Sequence, residues 1–229
     1  MEHITDGEND SVINIIVIGV GYHARRIYVP FFINEQQDFN VKLVCGLDLL
    51  SQKNVIEEYL IGRKFSDMQM YYTEENTETD DLSDNFQKQL DDIILKYKIK
   101  GIIISTEPLA HTKYAKWALS RSLHILMDKP ITSERDISTD IKKAKKILSD
   151  YNLLKEEYIK ALAKNEGKLV FSLMAQRRFH PAYKLIRELI LEVSEKTNCP
   201  VTSMQAFHSD GQWRLPTEIV EQDYHPYNQ

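Results

Sequence analysis

Cysteine is scarce in this sequence, since its 229 residues include only Cys45 and Cys199. Two distant thiols form neither a Cys-x-x-Cys motif nor a disulfide framework, which favours a reducing compartment. The sequence also lacks an apolar run long enough to span a bilayer, and its acidic start is unlike a signal peptide. These absences predict a cytoplasmic protein with no membrane partner and no metal site.

An excess of basic charge is missing as well. The chain has 29 Lys and Arg against 34 Asp and Glu, a net charge of −5. No run of Lys or Arg exceeds two residues, so the electrostatic footprint of a nucleic-acid-binding protein is absent. The hydrophobic fraction of 42% is ordinary for a globular protein. We expect a protein that binds a small molecule rather than nucleic acid.

The chain alternates apolar strands with amphipathic helices. Strands are predicted over residues 12–18, 41–48, 68–73, 100–106, 123–128 and 168–175. Helices are predicted over residues 22–35, 51–60, 85–97, 110–122 and 137–167, the last as one long helix or two abutting ones. We expect Pro30 to end or kink the first helix. A helix over 182–193 and a strand over 200–209 follow. Strict alternation predicts the α/β class with a doubly wound parallel sheet.

The first predicted strand ends in a glycine turn, within "INIIVIGVGYHARR" at residues 13–26. In a dinucleotide fold the first glycine makes a tight turn and the second lets a pyrophosphate approach the backbone. The third position must be small so that helix and strand pack closely. These positions are Gly19, Gly21 and Ala24. Tyr22 and His23 complete a motif that is a weak signal alone but stands in the right context.

A carboxylate ends the second predicted strand. Asp48 follows Ala24 by about 24 residues, close to the interval typical of a ribose-binding acid. Such a carboxylate accepts hydrogen bonds from both ribose hydroxyls and repels a 2′-phosphate, which favours NAD over NADP. Lys53 lies nearby and softens that preference, so NADP stays open. An ordinary polar strand end is the alternative interpretation of Asp48.

The segment "STEPLAHTKYAKWALSRSLHILMDKP", residues 105–130, carries a second pattern. A Thr-x-Pro turn, a histidine, small helical residues and a Lys-Pro turn come in this order: Thr106, Pro108, His111, Ala115, Ala118, Lys129 and Pro130. With the glycine turn and the later "MAQRRFHPAYKLIRELI", this order resembles the glucose–fructose oxidoreductase/inositol dehydrogenase/rhizopine catabolism (Gfo/Idh/MocA) family. Asp128 departs from the usual Glu of the family's Glu-Lys-Pro but keeps the carboxylate.

The resemblance implies a nicotinamide-dependent oxidoreductase that acts on a sugar, cyclitol or related polyol. It makes Lys129 the candidate catalytic residue, because an ammonium beside a reacting hydroxyl lowers the pKa of that hydroxyl and stabilises the alkoxide. The predicted cofactor-binding set is Gly19, Gly21, Tyr22, His23, Ala24, Asp48, Thr106, Pro108, His111, Asp128 and Lys129. The weaker substrate candidates are Arg178, His180, Trp213 and Arg214. For His111, a histidine satisfied locally at a helix start is an equal alternative.

The resemblance also sets the expected domains. Residues 1–11 are predicted to be a disordered leader, 12–176 an NAD(P)-binding Rossmann domain, and 177–229 the start of an incomplete α+β substrate and dimerisation domain. The family's Gly-rich Asp-x-x-x-His segment does not occur, so we expect a piece of a longer enzyme. A short relative that binds a dinucleotide without turnover is the alternative, and a reductase of an imine or biliverdin-like substrate stays open. A homo-oligomer is implied for a full-length protein, and the state of this chain is left open.

Overall fold

The computed structural model describes residues 12–35, 40–63, 65, 68–74, 79–175, 180–203 and 205. The strands are β1 (Ile13–Ile18), β2 (Val41–Leu49), β3 (Gln69–Thr73), β4 (Ile99–Ile104), β5 (His124–Met127) and β6 (Phe171–Leu173). The helices are α1 (Tyr22–Arg26), α2 (Tyr28–Glu35), α3 (Lys53–Gly62), α4 (Asp84–Tyr97), α5 (His111–Ser120), α6 (Ile141–Lys164) and α7 (Pro181–Thr197). Within these ranges, no helix has the length and apolar character needed to cross a membrane.

The strands form one parallel sheet in the order β3-β2-β1-β4-β5-β6. The chain builds one half of the sheet outward from β1, then returns to β1 and builds the other half from β4. This is the doubly wound Rossmann order, and ligands bind such sheets where the strand order reverses. The predicted fold class is confirmed, and the reversal lies between β1 and β4.

Strand β1 shows why the sheet must be covered on both faces. Ile16, Val17 and Ile18 are successive residues, and each is at most 1% exposed. Successive side chains of a strand point to opposite faces, so a sheet with one wet face would bury only every second residue. Helix α4 supplies part of the cover with an apolar stripe at Phe86, Leu90 and Ile93. The side chain of Ser83 caps this helix by accepting a hydrogen bond from the amide of Phe86 at 3.3 Å.

Two predicted helices differ in detail. The helix predicted over 22–35 is divided at Ile27, three residues before Pro30. Proline has no amide hydrogen, so the carbonyl of Arg26 loses its helical donor and the break falls there rather than at the proline. Residues 137–167 hold one helix, α6, and the side chain of Asp140 caps it by accepting a hydrogen bond from the amide of Lys142. Its Leu154 is buried, whereas Tyr151 is 42% exposed.

The chain divides into two compact units, Met1–Leu173 and Met174–Gln229. In the second unit, α7 ends at Asn198, which adopts the left-handed conformation that often closes a helix. The strand predicted over 200–209 is wrong for residues 200–203 and 205, which form no strand, and its remainder lies outside the described residues. The predicted domain boundary at 176/177 stays a prediction.

Candidate functional site

The carboxyl ends of the central strands meet at one edge of the sheet. Gly19 follows β1, Asp48 lies near the end of β2, and Ser105 follows β4. Between them is a cleft of about 230 Å³. Its polar lining comes from Asp48, Gln52, Thr73, Ser105, Thr106 and Glu107. The cleft therefore lies at the reversal of strand order, where a doubly wound sheet binds its ligand.

Gly19 permits the close approach of two strand ends. Its φ is +86°, a conformation that residues with a Cβ rarely adopt. A Cβ at this position would lie 2.5 Å from the carbonyl carbon and oxygen of Ser105. The amide of Gly19 donates to Leu47 O at 2.9 Å, and the amide of Ser105 donates to Ile18 O at 2.8 Å. No other residue fits here without moving the backbone after β4.

Gly21 differs from Gly19 because its surroundings are open. Its φ of −68° suits any residue, and a Cβ built on it would meet no atom within 4 Å. The space above Gly21 is therefore a hollow that a Cβ would partly fill. Helix α1 begins at the next residue, and its buried Ala24 is the small third position of the motif. Free amides of a helix start beside an open hollow suit a pyrophosphate.

Asp48 links the second strand to the glycine turn. Its Oδ2 accepts a hydrogen bond from the amide of Val20 at 2.6 Å, and its Oδ1 accepts one from Leu49 at 2.6 Å. Burial raises the pKa of Asp48, and the nearby charge of Glu107 adds to the rise, against the two amide hydrogen bonds and the charge of Arg25. Each carboxylate oxygen retains a further lone pair, so the group can still accept ribose hydroxyls.

Lys53 is the cation nearest to Asp48 in sequence, and its contacts lie on helix α3 and strand β3. Its Nζ is 3.9 Å from Glu57 Oε1 and 5.7 Å from the ring centre of Tyr72. At the cleft, Asp48 and Glu107 are both acidic. The cleft therefore carries two acidic side chains, one after β4 and one in β2, and the charge of Arg25 also acts on Asp48.

His111 begins helix α5 and is fully buried. Its Nδ1 lies 2.7 Å from Pro130 O and its Nε2 lies 3.1 Å from Thr106 O. Burial lowers the pKa of this imidazole. The two carbonyls and the charges of Asp128 and Glu107 raise the pKa, but by less than burial lowers it. Both nitrogens face backbone carbonyls, one in the turn after β4 and one in the turn after β5, and the neutral ring donates its single N–H to one of them.

Asp128, directly after β5, lies among hydrogen-bond donors. Ser105 Oγ donates to its Oδ2 at 2.6 Å, and the hydroxyl of Tyr28 donates to its Oδ1. His23 Nε2 lies 3.6 Å from the same Oδ1. The next residue, Lys129, is exposed at this edge of the sheet. The carboxylate is therefore held by hydrogen bonds from Tyr28 and Ser105, directly before the candidate catalytic lysine.

The structure groups the predicted site residues unevenly. Gly19, Gly21, Asp48 and Thr106 line the cleft. His180 caps helix α7 in the second unit, where its Nδ1 accepts from the amide of Ala182 at 3.2 Å. The other substrate candidates, Arg178, Trp213 and Arg214, lie outside the described residues.

Sequence reasoning missed Tyr28, Ser105 and Glu107. Ser105 and Glu107 flank Thr106 in "STEP", so the rule that parallel strands end at one edge would have pointed to them. Tyr28 carries no motif of its own, and its partner Asp128 is 100 residues away.

The sheet order and the glycine turn define a dinucleotide-binding α/β domain. The model of the Gfo/Idh/MocA oxidoreductase family, described as having an NAD-binding Rossmann fold, matches residues 13–153. This match covers more than half of the chain, so the chain belongs to that family. Among curated proteins, none matches by sequence.

Solved structures share the fold. The scyllo-inositol dehydrogenase of Lactobacillus casei, solved with NAD(H) and scyllo-inositol, is 17% identical with a TM-score of 0.51, over 81% of this chain and 42% of that one. GenD2 from gentamicin A biosynthesis, solved with NAD, is 14% identical with a TM-score of 0.53, over 81% and 40%. A dehydrogenase from Chromobacterium violaceum is 14% identical with a TM-score of 0.51, over 79% and 41%. The chain thus spans less than half the length of these structures.

The two glycines of the turn should respond differently to alanine. Gly19→Ala should lower the free energy of unfolding by more than about 2 kcal/mol, because it combines a positive φ with a backbone collision. Gly21→Ala should change it by less than about 0.5 kcal/mol yet weaken NADH binding about tenfold or more, since its methyl group enters the hollow. Urea unfolding and NADH fluorescence titration measure these effects. Equal losses of stability would contradict the assignment.

Buried His111 should make stability depend on pH. Its pKa is lowered in the folded protein, so the unfolded chain takes up a proton first as the pH falls. The stability that neutral His111 contributes is complete above the ordinary histidine pKa of about 6.5 and is lost below it. Between about pH 7 and pH 5.5, wild type should lose up to about 1 kcal/mol more than His111→Gln. Urea unfolding at both pH values is the measurement, and parallel pH profiles would refute the prediction.

Proposed function

We propose that this chain binds NAD at the cleft and belongs to an oxidoreductase that moves a hydride between NAD and a carbon carrying a hydroxyl group. The proposed substrate class is a sugar, cyclitol or related polyol. One observation carries the proposal: the open glycine turn and the Asp48 carboxylate meet at the strand-order reversal of a chain in this oxidoreductase family.

The residues at the cleft fit a nicotinamide dinucleotide. The hollow above Gly21 admits the pyrophosphate, with the first amides of α1 as donors. Asp48 offers its remaining lone pairs to the ribose hydroxyls. When bound, the nicotinamide supplies the acceptor or donor of the hydride. Thr106, at the end of β4, lies on the other side of the same cleft.

The charges favour NAD over NADP. A 2′-phosphate beside Asp48 and Glu107 would meet two acidic groups against the one cationic charge of Arg25, and juxtaposed like charges are costly. The nearby Lys53 instead lies beside Glu57 and above the ring of Tyr72. From the sequence, Lys53 was expected to weaken the preference for NAD. Its position beside Glu57 and Tyr72 argues against that effect.

Lys129 is the proposed catalytic residue. Removal of hydride from a CH–OH carbon also requires the hydroxyl proton to pass to water or another base, and an ammonium beside that oxygen lowers the pKa of the hydroxyl and stabilises the alkoxide. Lys129 is exposed at the carboxyl edge of the sheet, directly after the anchored Asp128. Lys129 is not among the residues that line the cleft, so the proposal places its side chain beside the open part of the site, where the substrate would meet the nicotinamide.

Removal of the Asp48 charge should change cofactor choice. Asp48→Asn keeps the size of the side chain but takes away the repulsion of a 2′-phosphate. The ratio of NADPH to NADH dissociation constants should fall about tenfold. Asp91→Asn is the control, because Asp91 pairs with Arg121 and does not line the cleft. Fluorescence titration with both nucleotides gives the ratio, and an unchanged ratio in Asp48→Asn would argue against the ribose contact.

Hydride transfer is tested by turnover. With NAD and a panel of sugars, cyclitols and other polyols, the absorbance of NADH should rise, and Lys129→Met should lower kcat about 100-fold or more. Lys88→Met, at an exposed position of α4, should match wild type. The assay is run on this chain and on the natural gene product that contains it. Binding of NADH without turnover of any polyol in both would contradict the oxidoreductase and support the binding module instead.

A further inference from the structure

Lys129 lies between two residues that are anchored from elsewhere in the fold. On one side, the carboxylate of Asp128 receives the hydroxyls of Tyr28 and Ser105, and the Asp128 amide donates to Ile104 O at 2.9 Å. On the other side, the carbonyl of Pro130 lies 2.7 Å from Nδ1 of His111. The backbone of Lys129 is therefore fixed at both ends while its side chain is exposed.

Tyr28 is the anchor that comes from the glycine-turn side of the molecule. It begins helix α2, directly after the break that follows α1, and is 3% exposed. Its ring packs edge to face on His23, with ring centres 5.8 Å apart, and His23 belongs to the glycine-turn motif. Burial, with the hydrogen bond and charge of Asp128, raises the pKa of Tyr28, so its hydroxyl stays a donor. Tyr28 thus connects the glycine turn to the residue before Lys129.

The other donors to Asp128 do not make this connection. Ser105 lies at the end of β4, which already pairs with β5 through Ile104 and Met127. His23 lies 3.6 Å from Asp128, beyond ordinary hydrogen-bond distance, and its side chain is 42% exposed. Only the hydroxyl of Tyr28, among the described contacts of Asp128, joins it to the helices after the glycine turn by a hydrogen bond.

We propose that Tyr28 is a positioning residue: through Asp128 its hydroxyl sets where Lys129 lies relative to the glycine turn, and hence to the nicotinamide end of the bound cofactor. The inference rests on the proposed function, because it takes the cleft as the cofactor site. Without the hydroxyl, one oxygen of a largely buried carboxylate loses its hydrogen-bond donor. A buried acceptor without a donor is energetically costly. The Asp128 carboxylate is then left with the hydroxyl of Ser105, and the turn that carries Lys129 loses its hydrogen-bonded link to the helices after the glycine turn.

The test measures the position of Lys129 without requiring turnover. Wild type, Tyr28→Phe and Tyr71→Phe are acylated at lysine, with and without saturating NADH, and the rate at Lys129 is followed by mass spectrometry. Tyr71→Phe is the matched control, because it also removes a hydrogen-bonded tyrosine hydroxyl. The hydroxyl of Tyr71 donates to that of Tyr97 at 3.0 Å, and neither residue lines the cleft. The dissociation constant of NADH and the rate at exposed Lys88 are measured in every variant.

We expect NADH to slow acylation of Lys129 in wild type and in Tyr71→Phe. In Tyr28→Phe this protection should fall about fivefold or more, while NADH affinity stays within about twofold of wild type. Asp128→Asn keeps the shape but offers the Tyr28 hydroxyl a weaker acceptor, so it should show a smaller loss in the same direction, and the double variant should lose no more than Tyr28→Phe. Because Asp128→Asn keeps the tyrosine, the test does not depend on the folding of Tyr28→Phe.

Wild-type protection in both Tyr28→Phe and Asp128→Asn would overturn the inference while leaving the cofactor site intact. An additive loss in the double variant would also overturn it, since Tyr28 would then not act through Asp128. Failure of the wild-type chain to bind NADH is a different result: it would refute the proposed function, and the inference with it.

Discussion

The close contact between Gly19 and the backbone of Ser105 is the constraint around which this sheet edge is built. A Cβ on Gly19 would lie 2.5 Å from that carbonyl, so β1 and β4 can end side by side only with glycine there. This approach directs the chain after β1 into α1 and leaves the hollow above Gly21. It also places Ser105 within hydrogen-bond distance of Asp128. The cleft and the turn at Lys129 therefore depend on the same contact.

Two polar side chains, partly buried Asp48 and fully buried His111, extend that constraint to the rest of the site. Asp48 ties β2 to the glycine turn through the amide of Val20, and His111 ties the turn after β4 to the turn after β5. Hydrogen bonds to the backbone offset the cost of burying these groups: Asp48 accepts from two amides, and neutral His111 donates its single N–H to one of the two carbonyls beside it. Four strand ends are thus held at one edge, as a preorganised binding site requires.

The sequence predicted those residues of the candidate site that belong to a short motif or to the end of a strand. Gly19, Gly21 and Asp48 were predictable because the motif spacing and the shared edge of parallel strands bring them together. The sequence predicted a break at Pro30, but the helix breaks at Ile27. The reason is that Pro30 has no amide hydrogen to donate to the carbonyl of Arg26. For His111 the sequence left two interpretations, and only burial shows that both ring nitrogens meet backbone carbonyls. The link from Tyr28 to Asp128 was beyond prediction because no local pattern connects residues so far apart.

The central claim is that a nicotinamide dinucleotide binds where the glycine turn meets Asp48. Nuclear magnetic resonance of the amide-labelled chain during titration with NADH tests it most directly, because it reports both binding and place. The account predicts that the largest shifts fall on the amides of Gly21, Leu49 and Thr106, and that Asn14 and Lys98, at the opposite edge of the sheet, stay unchanged. No shifts at saturating NADH, or shifts centred on that opposite edge, would contradict it.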